Sequence, residues 1–225
     1  MAESGLMAPG ESAAPRLIEV IDPQSAVSER ALAIYEAVIP KAEQKTRAQI
    51  LASLAHADVR FWAYERGGEV IGLSFLYAPQ QEAVMLLEYL AVAPHAQGGG
   101  VGSALVTASF DASRHSPGAV LLIEVDSEAD TVDAAERAVR LKRKQFYRRL
   151  GCREVQGFDY ILPLENYGPA PKMNLLVLGA EGDWFETARL RRALAGIYRN
   201  VYACAPDDPR LGAMFARQDP VLRLV

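Results

Sequence analysis

The stretch that decides the fold runs Glu88-Tyr-Leu-Ala-Val-Ala-Pro-His-Ala-Gln-Gly-Gly-Gly-Val-Gly-Ser-Ala-Leu-Val106. It opens inside an apolar β-run, Val84 to Ala93, in which Met85, Leu86, Leu87, Leu90 and Val92 are all apolar. A helix is expected from Val101 to about Ser113, so Gly98, Gly99, Gly100 and Gly102 fall at the junction of a buried strand and an amphipathic helix. The first turn of a helix leaves backbone N–H groups unpaired and carries partial positive charge. Glycines let an anion approach those groups with no Cβ in the way. The junction therefore reads as a phosphate site.

Three phosphate-binding patterns compete for it. A P-loop requires lysine after the glycines, and none follows. A dinucleotide fingerprint would place Ser103 or Leu105 in its last slot, and it expects the turn directly at the strand end, where Pro94, His95, Ala96 and Gln97 intervene. Glu124, about 20 residues on, nonetheless mimics the ribose-binding acid of that pattern, so a dinucleotide-binding oxidoreductase stays open as a rival. The third pattern is Gln97-x-x-Gly100-x-Gly102, preceded by Leu90-Ala-Val92 and followed by Ala104-Leu105.

Outward from the turn, the elements alternate. Arg16 to Ile21 reads as a first strand, followed by a helix from near Ser25 to before Pro40 and another from about Lys45. Phe61–Glu65 and Val70–Tyr77 form a hairpin across Arg66-Gly67-Gly68. Ala119 to Val125 is apolar enough to be buried on both faces. A long helix is expected from about Thr131 to Leu150, with Ala135, Val139, Phe146 and Leu150 as its apolar stripe and Gly151 closing it. Strands Cys152–Leu162 and Met173–Leu178 follow, and Trp184, Leu190, Leu194 and Tyr198 mark a helical C-terminal extension. The order predicts a mixed α/β fold, mostly antiparallel with one parallel crossover. The expected divisions are a flexible tail over 1–15, a main domain over 16–180 and the extension over 181–225.

Composition narrows the function classes. Of 225 residues, 50% are hydrophobic and 23% charged, which excludes a disordered or low-complexity chain. A net charge of −4 offers no global basic field for nucleic acid, so no nucleic-acid partner is expected. Met1 to Pro15 has neither a basic start nor an apolar run, and the uncharged stretch Tyr89–Phe110 is interrupted by Pro94, His95, Gln97 and glycines. No secretion signal and no membrane span are therefore expected. Cys152 and Cys204 form no framework, which favours a reducing cytoplasm. His56, His95 and His115 lack metal-ligand spacing, and no metal is expected.

The third pattern resembles the coenzyme A pyrophosphate motif of the GNAT N-acetyltransferase superfamily. Phe146-Tyr147-x-x-x-Gly151 is similar to that family's second signature, with Cys152 standing where an aromatic residue is usual. The order of elements from Leu17 to Leu178 agrees as well. The resemblance implies a splayed sheet in which the strand at Leu90, Ala91 and Val92 leaves its neighbour at Leu121–Val125. It implies that acetyl-CoA lies in that wedge along Leu90–Val92, with its pyrophosphate on Gln97, Gly98, Gly99, Gly100, Val101, Gly102 and Ser103. It further implies direct transfer of the acetyl group to a small-molecule or peptide amine, with Tyr147 as the acid and Glu88 as the base.

The residues themselves add to these roles. Tyr147 shares a helix face with Arg143 and Arg140, whose charges favour phenolate and would make it a better proton donor. Glu88 stands two residues before Leu90, which predicts a shared sheet face. Glu124 is the reserve candidate for the base. Eight cations against two anions between Ala134 and Glu154 suit an anionic cofactor. A non-catalytic acyl-CoA-binding or sensing module is an alternative on the same fold. Acceptor choice is expected to depend on residues 25–55 and on the loop 163–172. The insert Asp126–Asp133 and the tail either cap the acceptor site or form a homodimer contact.

Overall fold

The computed structural model describes residues 14–163 and 172–225; the expected N-terminal tail and the loop after Pro163 lie largely outside them. Strands β1 (Arg16–Glu19), β2 (Val59–Arg66), β3 (Glu69–Tyr77) and β4 (Val84–Val92) form an antiparallel run. Gly67 and Gly68 take φ of +60° and +84°, as a two-residue hairpin turn requires. Helix α3 (Val101–Ser113) then crosses over, so that β5 (Val120–Asp126) pairs parallel with β4. Beyond β5 come β8 (Lys172–Leu178) and β6 (Arg153–Glu154), with β7 (Tyr160–Ile161) also on β8, all antiparallel. The expected mixed, mostly antiparallel sheet is what the chain forms.

Helices cover both faces. On one, α3 and α4 (Ala134–Arg149) bury Val106, Phe110 and Tyr147 against Leu76, Met85, Leu87, Leu121 and Ile123. On the other, α1 (Ala26–Val38) and α2 (Arg47–Ser53) bury Ala31, Leu32, Tyr35 and Ile50 against Phe61, Leu73 and Phe75. The helix starts follow side-chain chemistry. Ser25 caps α1, Thr46 and Gln49 form a reciprocal capping box on α2, and Asp133 caps α4 through the Glu136 amide at 2.7 Å.

Three expectations are corrected here. The α4 stripe fails in its first half, where Ala135 is exposed and Val139 is 59% exposed; these turns meet the chain at 127–131 through Arg137 and Arg140, which donate to the carbonyls of Glu128, Thr131 and Ser127. Cys152–Leu162 is not one strand: Gly157, at φ +69°, turns the chain between β6 and β7. Trp184 lies off the helical stripe, 59% exposed in β9 (Trp184–Glu186), which pairs with β10 (Val221–Arg223).

The C-terminal residues are built into the main core. Helices α5 (Thr187–Asn200) and α6 (Pro209–Phe215) bury Leu190, Leu194, Ile197, Tyr198 and Met214 against Tyr77, Leu86, Leu122, Leu175 and Val177. The chain end returns to β6 through reciprocal Glu154–Val225 backbone hydrogen bonds of 2.8 and 3.0 Å. At the closed end of the β4–β5 pair, Arg189 donates to the carbonyls of Ala83 and Gly118 at 2.9 and 2.7 Å. Leu194 is fully buried in this shared core. Leu194→Ala should therefore lower the unfolding free energy by about 3 kcal/mol in one cooperative denaturant transition. A loss below about 1 kcal/mol, or a separate early transition, would show that the segment folds apart from the sheet.

Candidate active site

The site begins with one extra residue in a strand. Pairing of β4 with β3 matches Phe75 to Tyr89 and Leu76 to Leu87, which leaves Glu88 as an unmatched bulge residue. Pairing of β4 with β5 stops at the same level: Leu87 opposite Ile123 is its last matched pair. Beyond it β5 stays on β8, with Glu124 opposite Leu175, while β4 stays on β3 through Leu90, Ala91 and Val92. The sheet thus parts between Glu88 and Glu124, and the β4 backbone beyond that point has no strand on its β5 side.

A cavity of about 710 Å³ occupies the parting. Its walls include Lys45, Glu88, Leu90, Glu124, Tyr147 and Tyr202. The bulge also corrects the expected facing of Glu88. Leu90 packs on the α3 side of the sheet, whereas the Glu88 carboxylate meets Lys45 Nζ, just before α2, at 2.5 Å. Lys45 donates as well to the Val201 carbonyl at 3.2 Å. Burial drives the Glu88 carboxyl above its ordinary range, and the Lys45 charge opposes the shift without cancelling it.

Glu124 is held differently. Its two carboxylate oxygens accept separate phenol hydrogen bonds, one from Tyr160 and one from Tyr202 at 2.5 Å. Burial pushes its pKa up to about 7; the two phenols pull it down and the nearby Glu88 adds to the rise. Sequence reasoning had no signal for Lys45 or Tyr202, since each stands alone in its segment and is brought here by tertiary packing.

Tyr147 is buried beneath α4 and lines the same cavity. Its hydroxyl makes no hydrogen bond among the described residues. The expected acidification by cations is outweighed: burial pushes the phenol up to about 12, and Arg143 lowers it only in part. Arg143 and Arg140 are themselves engaged, Arg143 by Asp126 at 3.2 Å and Arg140 by Glu136 at 2.5 Å. Of the eight cations between Ala134 and Glu154, only Lys142 and Arg149 have no hydrogen bond or ion pair among the described residues.

The glycine turn lies past the far end of β4. The Gln97 side chain donates to the Val92 carbonyl at 3.0 Å and ties the turn to the strand. Gly98 and Gly100 have φ of +84° and +77°, where a side chain is disfavoured, and Gly100 is the N-cap of α3. A Cβ at Gly98, Gly99 or Gly100 would meet nothing within 4 Å, so the approach to these amides is open. The first backbone bond of α3 is Ala104 N–H to the Gly100 carbonyl at 3.0 Å, which leaves the Val101, Gly102 and Ser103 amides to the outside. A diphosphate fits this cradle: open space, free amides and the positive end of a thirteen-residue helix coincide. Among the described residues no cluster of side chains could hold a metal ion, and no helix is long and apolar enough to cross a membrane.

Comparison with known proteins agrees with this geometry. Residues 57–154 match the acetyltransferase (GNAT) domain family model. Among solved structures, a GNAT-family protein of Bacteroides thetaiotaomicron superposes with a TM-score of 0.67 at 15% identity, covering 84% of this chain and 99% of its own. A GNAT-family protein of Desulfovibrio desulfuricans gives 0.53 at 21% identity, covering 74% and 99%. A spermidine N-acetyltransferase SpeG chimera from Vibrio cholerae and hSSAT gives 0.52 at 14% identity, covering 73% and 94%. No curated protein matches by sequence. Residues 57–154, which carry the parting of β4 from β5 and the glycine turn on α3, are the part of this chain that matches the acetyltransferase (GNAT) domain family model.

Proposed function

We propose that the chain transfers an acetyl group from acetyl-CoA directly to an amine, with no acyl-enzyme intermediate. The observation that carries this reading is the coincidence of two features on one strand. β4 loses its β5 partner after Leu87, and past its far end comes the turn into α3, with open space over Gly98, Gly99 and Gly100. An extended pantetheine arm has the shape of a short strand, and the unpaired side of Leu90, Ala91 and Val92 offers it a backbone ladder. The diphosphate then meets the turn from Gln97 to Ser103, where the α3 dipole favours negative charge.

The reacting end falls at the root of the wedge, between Glu88, Glu124 and Tyr147. Most of the rate gain comes from holding amine and thioester in contact and from β4 amides near Ala91 that stabilise the oxyanion. Tyr147 stays protonated across neutral pH and gives its proton to the departing thiolate. Cys152 does not serve as a nucleophile: burial pushes its thiol up to about 12. One structural neighbour is named as a spermidine N-acetyltransferase, which supports an amine as the acceptor class.

Two variants test separate halves of this reading. Gly100→Asp places a carboxylate in the cradle, and Asp tolerates the left-handed backbone there better than most residues. Calorimetry should show acetyl-CoA binding weakened about tenfold or more, with a melting temperature within a few degrees of the native chain. An unchanged dissociation constant would remove the turn from the site. Tyr147→Phe should lower kcat roughly 100-fold in a thiol-release assay while leaving acetyl-CoA affinity intact. Full activity would remove Tyr147 as the acid, and binding without any turnover by the native chain would favour a sensing module.

A further inference from the structure

Two carboxyl groups stand at the root of the wedge, and their surroundings divide the work between them. Glu88 is committed to an ion pair with Lys45, whose ammonium is also fixed by the Val201 carbonyl. A proton accepted by Glu88 would strand that ammonium inside the protein. Glu124 has no cation against it. Its oxygens are held from two sides by phenols, Tyr160 from β7 and Tyr202 from the turn after α5. Tyr160 is buried and Tyr202 half-buried, and loss of solvent drives both phenols well above their usual range, so they stay protonated and remain donors.

A second, independent observation concerns how Tyr202 arrives. The residue after it, Ala203, has φ of +56°, and it is the one non-glycine residue with positive φ among those described. That strained turn is held on both sides of the alanine, Tyr202 N–H to the Ile197 carbonyl at 3.3 Å and Cys204 N–H to the Tyr198 carbonyl at 2.9 Å. Tyr198, whose hydroxyl is tied to the Ile161 carbonyl, stacks edge-on with both Tyr160 and Tyr202 at 6.4 Å. Backbone strain concentrates where the surrounding structure over-determines a functional geometry. Here it aims one phenol at one carboxyl group in the cavity.

We infer that Glu124 is the group that takes the proton from the acceptor amine, and that the C-terminal segment completes the catalytic centre by supplying Tyr202 to position it. This rests on the acetyltransferase reading above. The amine nitrogen attacks the thioester carbonyl carbon, the N–C bond forms and the C–S bond breaks with its electron pair on sulfur. The nitrogen's proton goes to Glu124 and the thiolate takes one from Tyr147; Glu124 then returns its proton to solvent as Tyr147 regains one. Net, amine and acetyl-CoA give amide and free thiol. Glu124 is the catalytic residue, and Tyr160 and Tyr202 are positioning residues. The charged and titratable groups facing Glu124 are Glu88 on β4, Tyr160 on β7, and Tyr198 and Tyr202 from the C-terminal segment, and none of them is a cation.

The sign of the pH effect follows. Glu124 must be ionised to accept a proton, so kcat/KM rises with pH through about 7 and then levels. Each phenol bond favours the ionised form, so Tyr202→Phe moves that limb to higher pH, by about one unit. The test uses the full chain in two measurements. In the first, chain labelled with carboxyl-13C glutamate and saturated with coenzyme A is titrated by NMR. The signal missing from Glu124→Gln should titrate near neutrality in the native chain and move upward in Tyr202→Phe. In the second, acetyl transfer is followed by thiol release with benzylamine, spermidine and an alanine-ended peptide as acceptors. Glu124→Gln should lose about 100-fold in kcat/KM together with the acidic limb, while Glu88→Gln keeps the limb.

The inference is overturned if the Glu124 signal titrates in the ordinary carboxyl range, or if Tyr202→Phe leaves it in place. It is equally overturned if the acidic limb survives in Glu124→Gln and vanishes in Glu88→Gln. The NMR titration decides the assignment even when none of the three amines is turned over. Failure of the native chain to bind coenzyme A would instead sink the acetyltransferase reading itself.

Discussion

One unmatched residue in β4 governs the rest of the molecule. With Glu88 inserted opposite the Phe75–Leu76 step, β4 follows β3 and abandons β5, and each later feature of the site uses that separation. The separated backbone of Leu90–Val92 keeps its β3 partner and has no strand on its β5 side. Glu88 and Glu124 become wall residues of a cavity where an intact sheet would have hidden or excluded them. The glycine turn follows the freed strand, and a thirteen-residue helix carries its positive end there.

Burying carboxyl groups in an apolar sheet is unfavourable, and the chain answers it in two chemically different ways. Lys45 supplies a counter-charge to Glu88, which opposes the rise that burial imposes on this carboxyl without cancelling it. Tyr160 and Tyr202 supply neutral donors to Glu124, which hold the carboxyl in place and leave it free to titrate near neutrality. Two carboxyl groups of one residue type, one strand apart, thereby acquire different chemistry from their partners alone.

Most of the framework was legible in sequence because it rests on local signals. The paired glycines at 67 and 68 announced the hairpin, the Gly98–Gly102 cluster announced the strand-to-helix turn, and Gly151 marked the end of α4. What could not be read required knowing which residues meet across long sequence separations. A bulge is a mismatch between two strands, so the alternation of β4 by itself gave Glu88 the wrong face. The acidity of Tyr147 was misjudged because the sequence displays the neighbouring cations and conceals the burial that outweighs them. Lys45 and Tyr202 carry no motif; α2 and α5 deliver them from 43 residues before Glu88 and 78 residues after Glu124.

The closed end of the wedge has a mechanical consequence. Only four matched pairs, Val84 with Val120 through Leu87 with Ile123, join the two halves of the sheet, and Arg189 clasps the loops just behind them. Such a narrow junction acts as a fulcrum. The five residues from Glu88 to Val92 form a lever arm of roughly 16 Å at a strand rise of about 3.3 Å each. A rotation of about 5° at the junction would displace the arm's tip by roughly 1.4 Å, on the scale of a full hydrogen-bond length change. A small change of twist at that joint is thus enough to alter how wide the jaws stand.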